Sequence, residues 1–306
     1  MQIVVTGSLA YDRIMSFQGH FADHILPDKL HVLNVCFQVD GITEKFGGTA
    51  GNIAYALTLM GEKPIISAAI GHDYHKYFDW LTQHGIPTDH LRIIEEEFTA
   101  GAYITTDKAD NQITGFNPGA MKYSSNLDFD ALDPAGTLLI VSPGNLSDMI
   151  NYPLACKAKG IDYIFDPGQS LPMLEPQDLV QAIEGCRLLI CNDYELDLIM
   201  SKTNLRQSDL LTLTNTIIVT LGESGSKIIT KAGQTHIHTC KPIQVLDPTG
   251  AGDSYRGGLL SGLIRGLDII ESARLGSTCA SFAVECYGTQ TYAFTSEEFR
   301  TRLNRL

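Results

Sequence analysis

The chain has 306 residues, 44% of them hydrophobic, which is enough to bury one large core, and α/β chains of this size commonly form a single domain. A formal net charge of −13 disfavours sequence-independent binding to nucleic acid or to an anionic membrane, since both need clustered Lys and Arg. The apolar start Ile3-Val4-Val5 is too short for a signal-peptide core and no run approaches transmembrane length, so a cytoplasmic protein is expected, and seven Cys without Cys-x-x-Cys spacing fit reduced, buried thiols rather than a disulfide framework or a zinc site.

Short apolar runs at 3–6, 65–70, 138–141, 163–165, 188–191 and 217–221 read as strands of a mostly parallel, buried sheet. Amphipathic segments at 52–60, 74–84 and 149–159, each stopped by Gly, predict helices between them, on both faces of the sheet. Two regions, 11–46 and 99–116, break the alternation. They carry short extended patterns, among them Val32-Leu33-Asn34-Val35 and Ala102-Tyr103-Ile104-Thr105, and are expected to pair as a small sheet. His20 with His24, His72 with His75 and His236 with His238 are spaced to bring imidazoles together, but none has a third ligand nearby, so surface or core His is expected.

The motifs follow in chain order. Asp12, shortly after the first strand, is a carboxylate able to accept hydrogen bonds from two vicinal hydroxyls, or a solvated turn acid. Phe46-Gly47-Gly48-Thr49-Ala50-Gly51-Asn52 precedes the first long helix. Gly48 there would let a hydroxylated ligand approach the backbone, and Asn52 offers a donor and an acceptor near the helix start or serves as its N-cap. Asp166, Asn192 and Gly222 fall just beyond strand ends, where open α/β sheets bind ligands. In Asn192-Asp193-Tyr194-Glu195 the spacing puts Asn192 and Glu195 on one side of a helical turn. They could orient waters of a Mg²⁺ ion, and they also spell a capping box. Thr220-Leu221-Gly222-Glu223-Ser224-Gly225-Ser226 is a turn in which Gly222 and Gly225 open the backbone to a ligand, with Thr220 and Glu223 as polar neighbours, or a plain turn between the strands 217–221 and 227–230. Asp247-Pro248-Thr249-Gly250-Ala251-Gly252-Asp253 opens an apolar helix over 254–262. Amides of Gly250, Ala251 and Gly252 at a helix N-terminus make an anion site, and Asp253 beside it could accept the proton of an attacking alcohol. The same residues would also serve as a capped helix whose acid complements the dipole.

The heptapeptide, the Gly47-Gly48 element, Asn192-x-x-Glu195 and Thr220-Leu221-Gly222-x-x-Gly225 together resemble, in order and over nearly the whole length, the PfkB (ribokinase-like) family of carbohydrate and nucleoside kinases. That resemblance implies a ribokinase-like α/β fold, a single kinase domain over 1–306, with the segments 11–46 and 99–116 as a β-sheet lid. It implies ATP as phosphate donor, Mg²⁺, Asp253 as general base, Gly250, Ala251 and Gly252 as anion hole, and Asp12, Gly48 and Asn52 as substrate contacts. Asn192, Thr220, Gly222, Glu223 and Gly225 would hold the nucleotide, and Glu195 the Mg²⁺ through water. Asp247 and Thr249, with backbone carbonyls of 282–291, would hold a monovalent cation such as K⁺, or only stabilise the turn. Where many sugar-kinase relatives have Lys-Gly-Ala this chain has Thr49-Ala50-Gly51, so sugar recognition is not carried over intact. Gly252-Asp253-Ser254-Tyr255-Arg256 and Glu285-Cys286-Tyr287-Gly288-Thr289-Gln290 resemble bacterial and archaeal adenosine or nucleoside kinases, implying a nucleoside acceptor, with Phe17, Phe37 and Phe116 as partners for a flat base. A free-sugar kinase is the close alternative. A non-catalytic nucleoside or sugar sensor would be expected to lack Asp253 or the glycine turn, and both are present. The exposed lid edge makes a homodimer a further expectation.

Overall fold

The computed structural model describes all 306 residues. The chain begins with β1 (Gln2–Thr6), β2 (Ala10–Ser16), β3 (Thr43–Gly47), α1 (Thr49–Leu59), β4 (Ile65–Gly71), α2 (His75–Gln83), β5 (Leu91–Ile94), β6 (Ala100–Thr106) and β7 (Gln112–Asn117). It continues through β8 (Thr137–Val141), α3 (Leu146–Lys159), β9 (Asp162–Phe165), α4 (Pro176–Ile183), β10 (Leu188–Asn192), α5 (Asp193–Thr203), α6 (Gln207–Leu213) and β11 (Thr216–Thr220). It ends with β12 (Ser226–Thr230), β13 (Gly233–Ile237), α7 (Ala251–Ile264), α8 (Ile269–Ala283) and α9 (Ser296–Leu303).

Nine strands form the central sheet in the order β13-β12-β11-β10-β9-β8-β1-β4-β5. Pairing is parallel from β11 to β5 and turns antiparallel only at the β11-β12-β13 end. Alternate side chains of a strand point to opposite faces, so a strand covered on both sides must be apolar throughout. In β1, Ile3 and Val5 enter a core with Ile53, Tyr77, Leu259 and Ala273 of α1, α2, α7 and α8. Val4 enters the opposite core, with Met149, Leu179, Leu196 and Leu210 of α3 to α6. No helix is long and apolar enough to cross a membrane.

A second, four-stranded sheet has the order β3-β2-β6-β7, with β2 and β6 parallel and the outer pairs antiparallel. The stretch Val32-Leu33-Asn34-Val35 is not part of it. Residues Pro27–Val32 form a short 3₁₀ segment, and Val32 and Leu33 are exposed. Four alternating residues with no neighbouring strand to pair with cannot satisfy their backbone groups as a strand, so the apolar pattern alone misleads there. Cys36 is exposed, unlike the buried Cys156, Cys186, Cys191, Cys240 and Cys279.

Candidate active site

The C-terminal ends of β8, β9, β10 and β11 and the N-terminus of α7 enclose a polar cleft of about 220 Å³ whose lining includes Asp166, Asn192, Glu195, Thr220, Gly250, Gly252, Asp253 and Arg256. Gly250 caps α7 in the left-handed conformation, φ 77°, which a residue with Cβ would adopt only under strain. The turn engages the Ala251 N–H with the Pro248 carbonyl at 3.2 Å. Gly250 and Gly252 keep their N–H groups free of backbone partners, at the positive end of a 14-residue helix.

Asp253 follows these amides. Its Oδ2 accepts a hydrogen bond from Asn52 Nδ2 at 2.8 Å. Burial pushes the carboxyl up to about 6; Arg256 and the Asn52 amide oppose the rise and Asp166 adds to it. Three residues on, Arg256 pairs with Asp166 through Nε to Oδ2 and through Nη2 to Oδ1 at 2.7 Å, and its Nη1 donates to the Gly252 carbonyl at 3.0 Å. Neither Arg256 nor Asp166 is more than 6% exposed. The roles of Arg256 and its pairing with Asp166 carry no signal in spacing, because the two residues are 90 positions apart.

Asn192 and Glu195 form the capping box at the start of α5: Glu195 N–H donates to Asn192 Oδ1 at 2.7 Å, and Asn192 N–H donates to Glu195 Oε2 at 2.8 Å. Both side chains still line the cleft, so the capping box does not withdraw them from it. Burial pushes the Glu195 carboxyl up, against the Asn192 N–H. Thr220 lies opposite Asn192 in the β10-β11 register and lines the same cleft. Gly222, Glu223 and Gly225 sit farther out, in the β11-β12 turn, with Gly222 at φ 55° and open space above it.

Asp12, Gly48 and Asn52 approach from the small sheet and α1. Gly48, at φ 89°, caps α1, and a Cβ there would lie 2.5 Å from the Ser8 carbonyl oxygen. Asn52 is therefore a residue of the first helical turn, not the N-cap. Its Oδ1 accepts from Gln290 Nε2 at 3.0 Å. Asp12 lies against Gly47, whose Cβ, if present, would be 2.9 Å from Asp12 Oδ2. Burial pushes the Asp12 carboxyl up; Lys45 opposes this and Asp247 adds to it.

Asp247 and the segment 282–291 are brought together. Asp247 Oδ1 accepts from Thr249 N–H at 2.9 Å and its Oδ2 from Gly288 N–H at 3.0 Å. Against burial, these donors and Lys45 hold its carboxyl below the usual range. The lid aromatics separate into two groups. Phe17 and Phe37 pack on each other at 4.9 Å and on Phe21 and His24, as a small core of their own. Phe116 is 55% exposed. It shares a row of the lid sheet with Ala102, Asp12 and Lys45, paired in register across four strands.

Two free amides at a helix N-terminus with an acid beside them, at the C-terminal edge of a parallel sheet, are the arrangement that the sequence resemblance implies. The sequence profile described as pfkB family carbohydrate kinase matches residues 2–295. The chain belongs to the PfkB family. Among PfkB-family relatives, the "Nucleoside kinase" of Methanocaldococcus jannaschii is 35% identical over 94% of this chain and 95% of its own length. The ligand-free nucleoside kinase of Burkholderia thailandensis superposes with a TM-score of 0.89 at 38% identity, covering 98% of this chain and 99% of that one. The same Burkholderia protein in complex with ADP-inosine gives a TM-score of 0.84 at 37% identity, covering 99% and 95%.

Proposed function

We propose that this PfkB-family protein is an ATP-dependent kinase that phosphorylates the 5′-hydroxyl of a ribonucleoside, adenosine or a close relative. The observation that carries the reading is Asp253, held by Asn52 on one oxygen and standing beside the free N–H groups of Gly250 and Gly252. The relatives named as nucleoside kinases, one of them bound to ADP-inosine, support the acceptor class.

In this mechanism the acceptor O–H bond breaks as its oxygen forms a bond to the γ-phosphorus of ATP. The proton passes to Asp253 Oδ1, and the bond from the γ-phosphorus to the β–γ bridging oxygen breaks, leaving its electron pair on ADP. A carboxyl pushed up to about 6 is mostly ionised at neutral pH and still basic enough to take the proton. Gly250 and Gly252 amides face the charge that develops on the transferred group. Asn192 and Glu195 would hold Mg²⁺ through its waters; when bound, the ion neutralises phosphate charge. Thr220 and the Gly222 to Gly225 turn would receive the nucleotide.

Asp12 anchors the ribose hydroxyls in this reading, and the row it shares with Phe116 sets the backbones of the two residues two strand spacings apart, roughly 10 Å. A nucleoside held at its ribose by Asp12 reaches that far with its base, so Phe116 would cover the base's face. The small sheet closes over the acceptor and keeps out water that would compete for the phosphoryl group. A coupled ADP-release assay over nucleosides, ribose, fructose and fructose phosphate tests the assignment. A ribonucleoside is expected to have the highest kcat/KM; the highest value for ribose or fructose would leave a kinase with a different acceptor.

A further inference from the structure

A line of hydrogen-bonded side chains runs from α2 to Asp253. Trp80 Nε1 donates to Gln290 Oε1 at 2.8 Å. Gln290 Nε2 donates to Asn52 Oδ1 at 3.0 Å and to the Tyr77 hydroxyl oxygen at 2.9 Å. The Tyr77 hydroxyl donates to the Gly47 carbonyl at 2.7 Å, and Asn52 Nδ2 donates to Asp253 Oδ2 at 2.8 Å. Asn52, Tyr77 and Gln290 are no more than 5% exposed, so water cannot compensate an amide placed the wrong way round.

An amide side chain is nearly symmetric in shape but not in polarity, with an accepting and a donating end. An indole N–H only donates, so Gln290 must turn its carbonyl to Trp80 and its NH₂ to Asn52. Tyr77, whose proton is given to Gly47, can only accept from Gln290, which imposes the same orientation. Asn52 must then meet Gln290 with its carbonyl and Asp253 with its NH₂. Reversed, Asn52 would aim a carbonyl oxygen at the carboxylate.

We propose that Trp80 and Gln290 are positioning residues for phosphoryl transfer: they dictate which end of the Asn52 amide meets Asp253, so that Oδ2 is held by a donor and Oδ1 is left to receive the acceptor's proton. The inference rests on Asp253 being the base. The same line ties the base to the glycine loop at the acceptor site, because Tyr77 holds the Gly47 carbonyl and the Trp80 ring stacks on Phe46 at 5.0 Å. The charged groups facing Asp253 are Arg256 of its own helix, Asp166 from the loop after β9 and Glu195 of α5; α1 contributes only the neutral Asn52. None of these three charged groups changes in Trp80→Phe or Gln290→Met.

Trp80→Phe keeps an aromatic ring against Phe46 and removes the donor, while Gln290→Met keeps the length and removes both polar ends. With kcat and KM measured from pH 5 to 9, the acid limb of kcat is expected to move up by about one pH unit in each variant, since the ionised carboxylate loses a secured donor. KM for ATP should stay within about twofold, because neither Trp80 nor Gln290 lines the cleft that holds Asn192, Glu195 and Thr220. The chain has one Trp, so its indole N–H gives a single ¹H–¹⁵N peak. That peak should shift with pH in step with the acid limb in the wild-type protein and cease to do so in Asn52→Leu. If Gln290→Met does not fold, Trp80→Phe and the indole peak decide. An acid limb unmoved in the folded variants, with an indole peak insensitive to pH and Asp253→Asn inactive, would refute the positioning role and leave the base in place. Wild-type turnover by Asp253→Asn would instead remove the base, and this inference with it.

Discussion

Arg256 on α7 grips both carboxylate oxygens of Asp166, the residue that follows β9, and does so with both residues buried at the floor of the cleft. The pair joins the sheet to the first turn of α7, since the same guanidinium also donates to the Gly252 carbonyl. A bidentate ion pair of this kind fixes direction as well as distance, which a single ammonium would not. The glycine amides and Asp253 inherit their position from it.

Removing one member of the pair should be costly, because the other charge is left buried and unpaired. Asp166→Leu or Arg256→Met is expected to lower unfolding free energy by about 3–5 kcal/mol in urea titrations, while the double variant carrying both should cost clearly less than the two single changes added together. Additive losses would mean that the pair is not a coupled unit.

Asp253→Asn should lower kcat by about a hundredfold or more with little change in nucleoside binding. It should also stabilise the fold. The carboxyl rises from 3.8 to about 6 in the folded chain, so its ionisation opposes folding above pH 6 and has no such effect below pH 4. The variant is therefore expected to gain about 3 kcal/mol over the wild-type protein at pH 8 and almost nothing at pH 3.5, read from thermal unfolding at both pH values. An equal difference at the two pH values would contradict the buried-acid account.

A base that must be ionised to accept a proton gives a rate that falls on the acid side of its pKa. For kcat this limb is expected near pH 6, well above the range of an ordinary Asp. A limb near pH 4 would show that burial does not govern this carboxyl in the working enzyme.

If Asp12 holds the ribose, 2′-deoxynucleosides should be markedly poorer substrates than ribonucleosides, and Asp12→Ala should reduce the difference. Phe116→Ala should raise KM for the nucleoside by about tenfold and leave KM for ATP alone. Equal effects on the two substrates would place Phe116 outside the acceptor pocket.

Glu195→Gln should raise the Mg²⁺ concentration needed for half-maximal rate more than it changes nucleoside KM. An unchanged Mg²⁺ titration by a folded variant would leave Glu195 with the capping role it already performs at α5.

The sheet was readable because every strand covered on both faces must be apolar throughout, as the run 138–141 is within β8. The glycine-capped start of α7 was readable because its turn needs residues that few other contexts tolerate. Long-range polar pairs were not: nothing in the neighbourhood of Arg256 or Gln290 announces Asp166 or Asn52, since their partners come from packing and not from period. The stretch at 32–35 failed for the opposite reason, a local pattern with no tertiary partner.

The contact between Asn52 and Asp253 spans 201 positions of the chain, and Gln290, which orients Asn52, comes later still. During synthesis from the N-terminus, the Gly47-Gly48 loop and the first helix emerge long before Asp253. A growing chain therefore holds no competent centre until its last helices are made and packed. On the reading that Asp253 is the base, phosphoryl transfer has to wait for that packing.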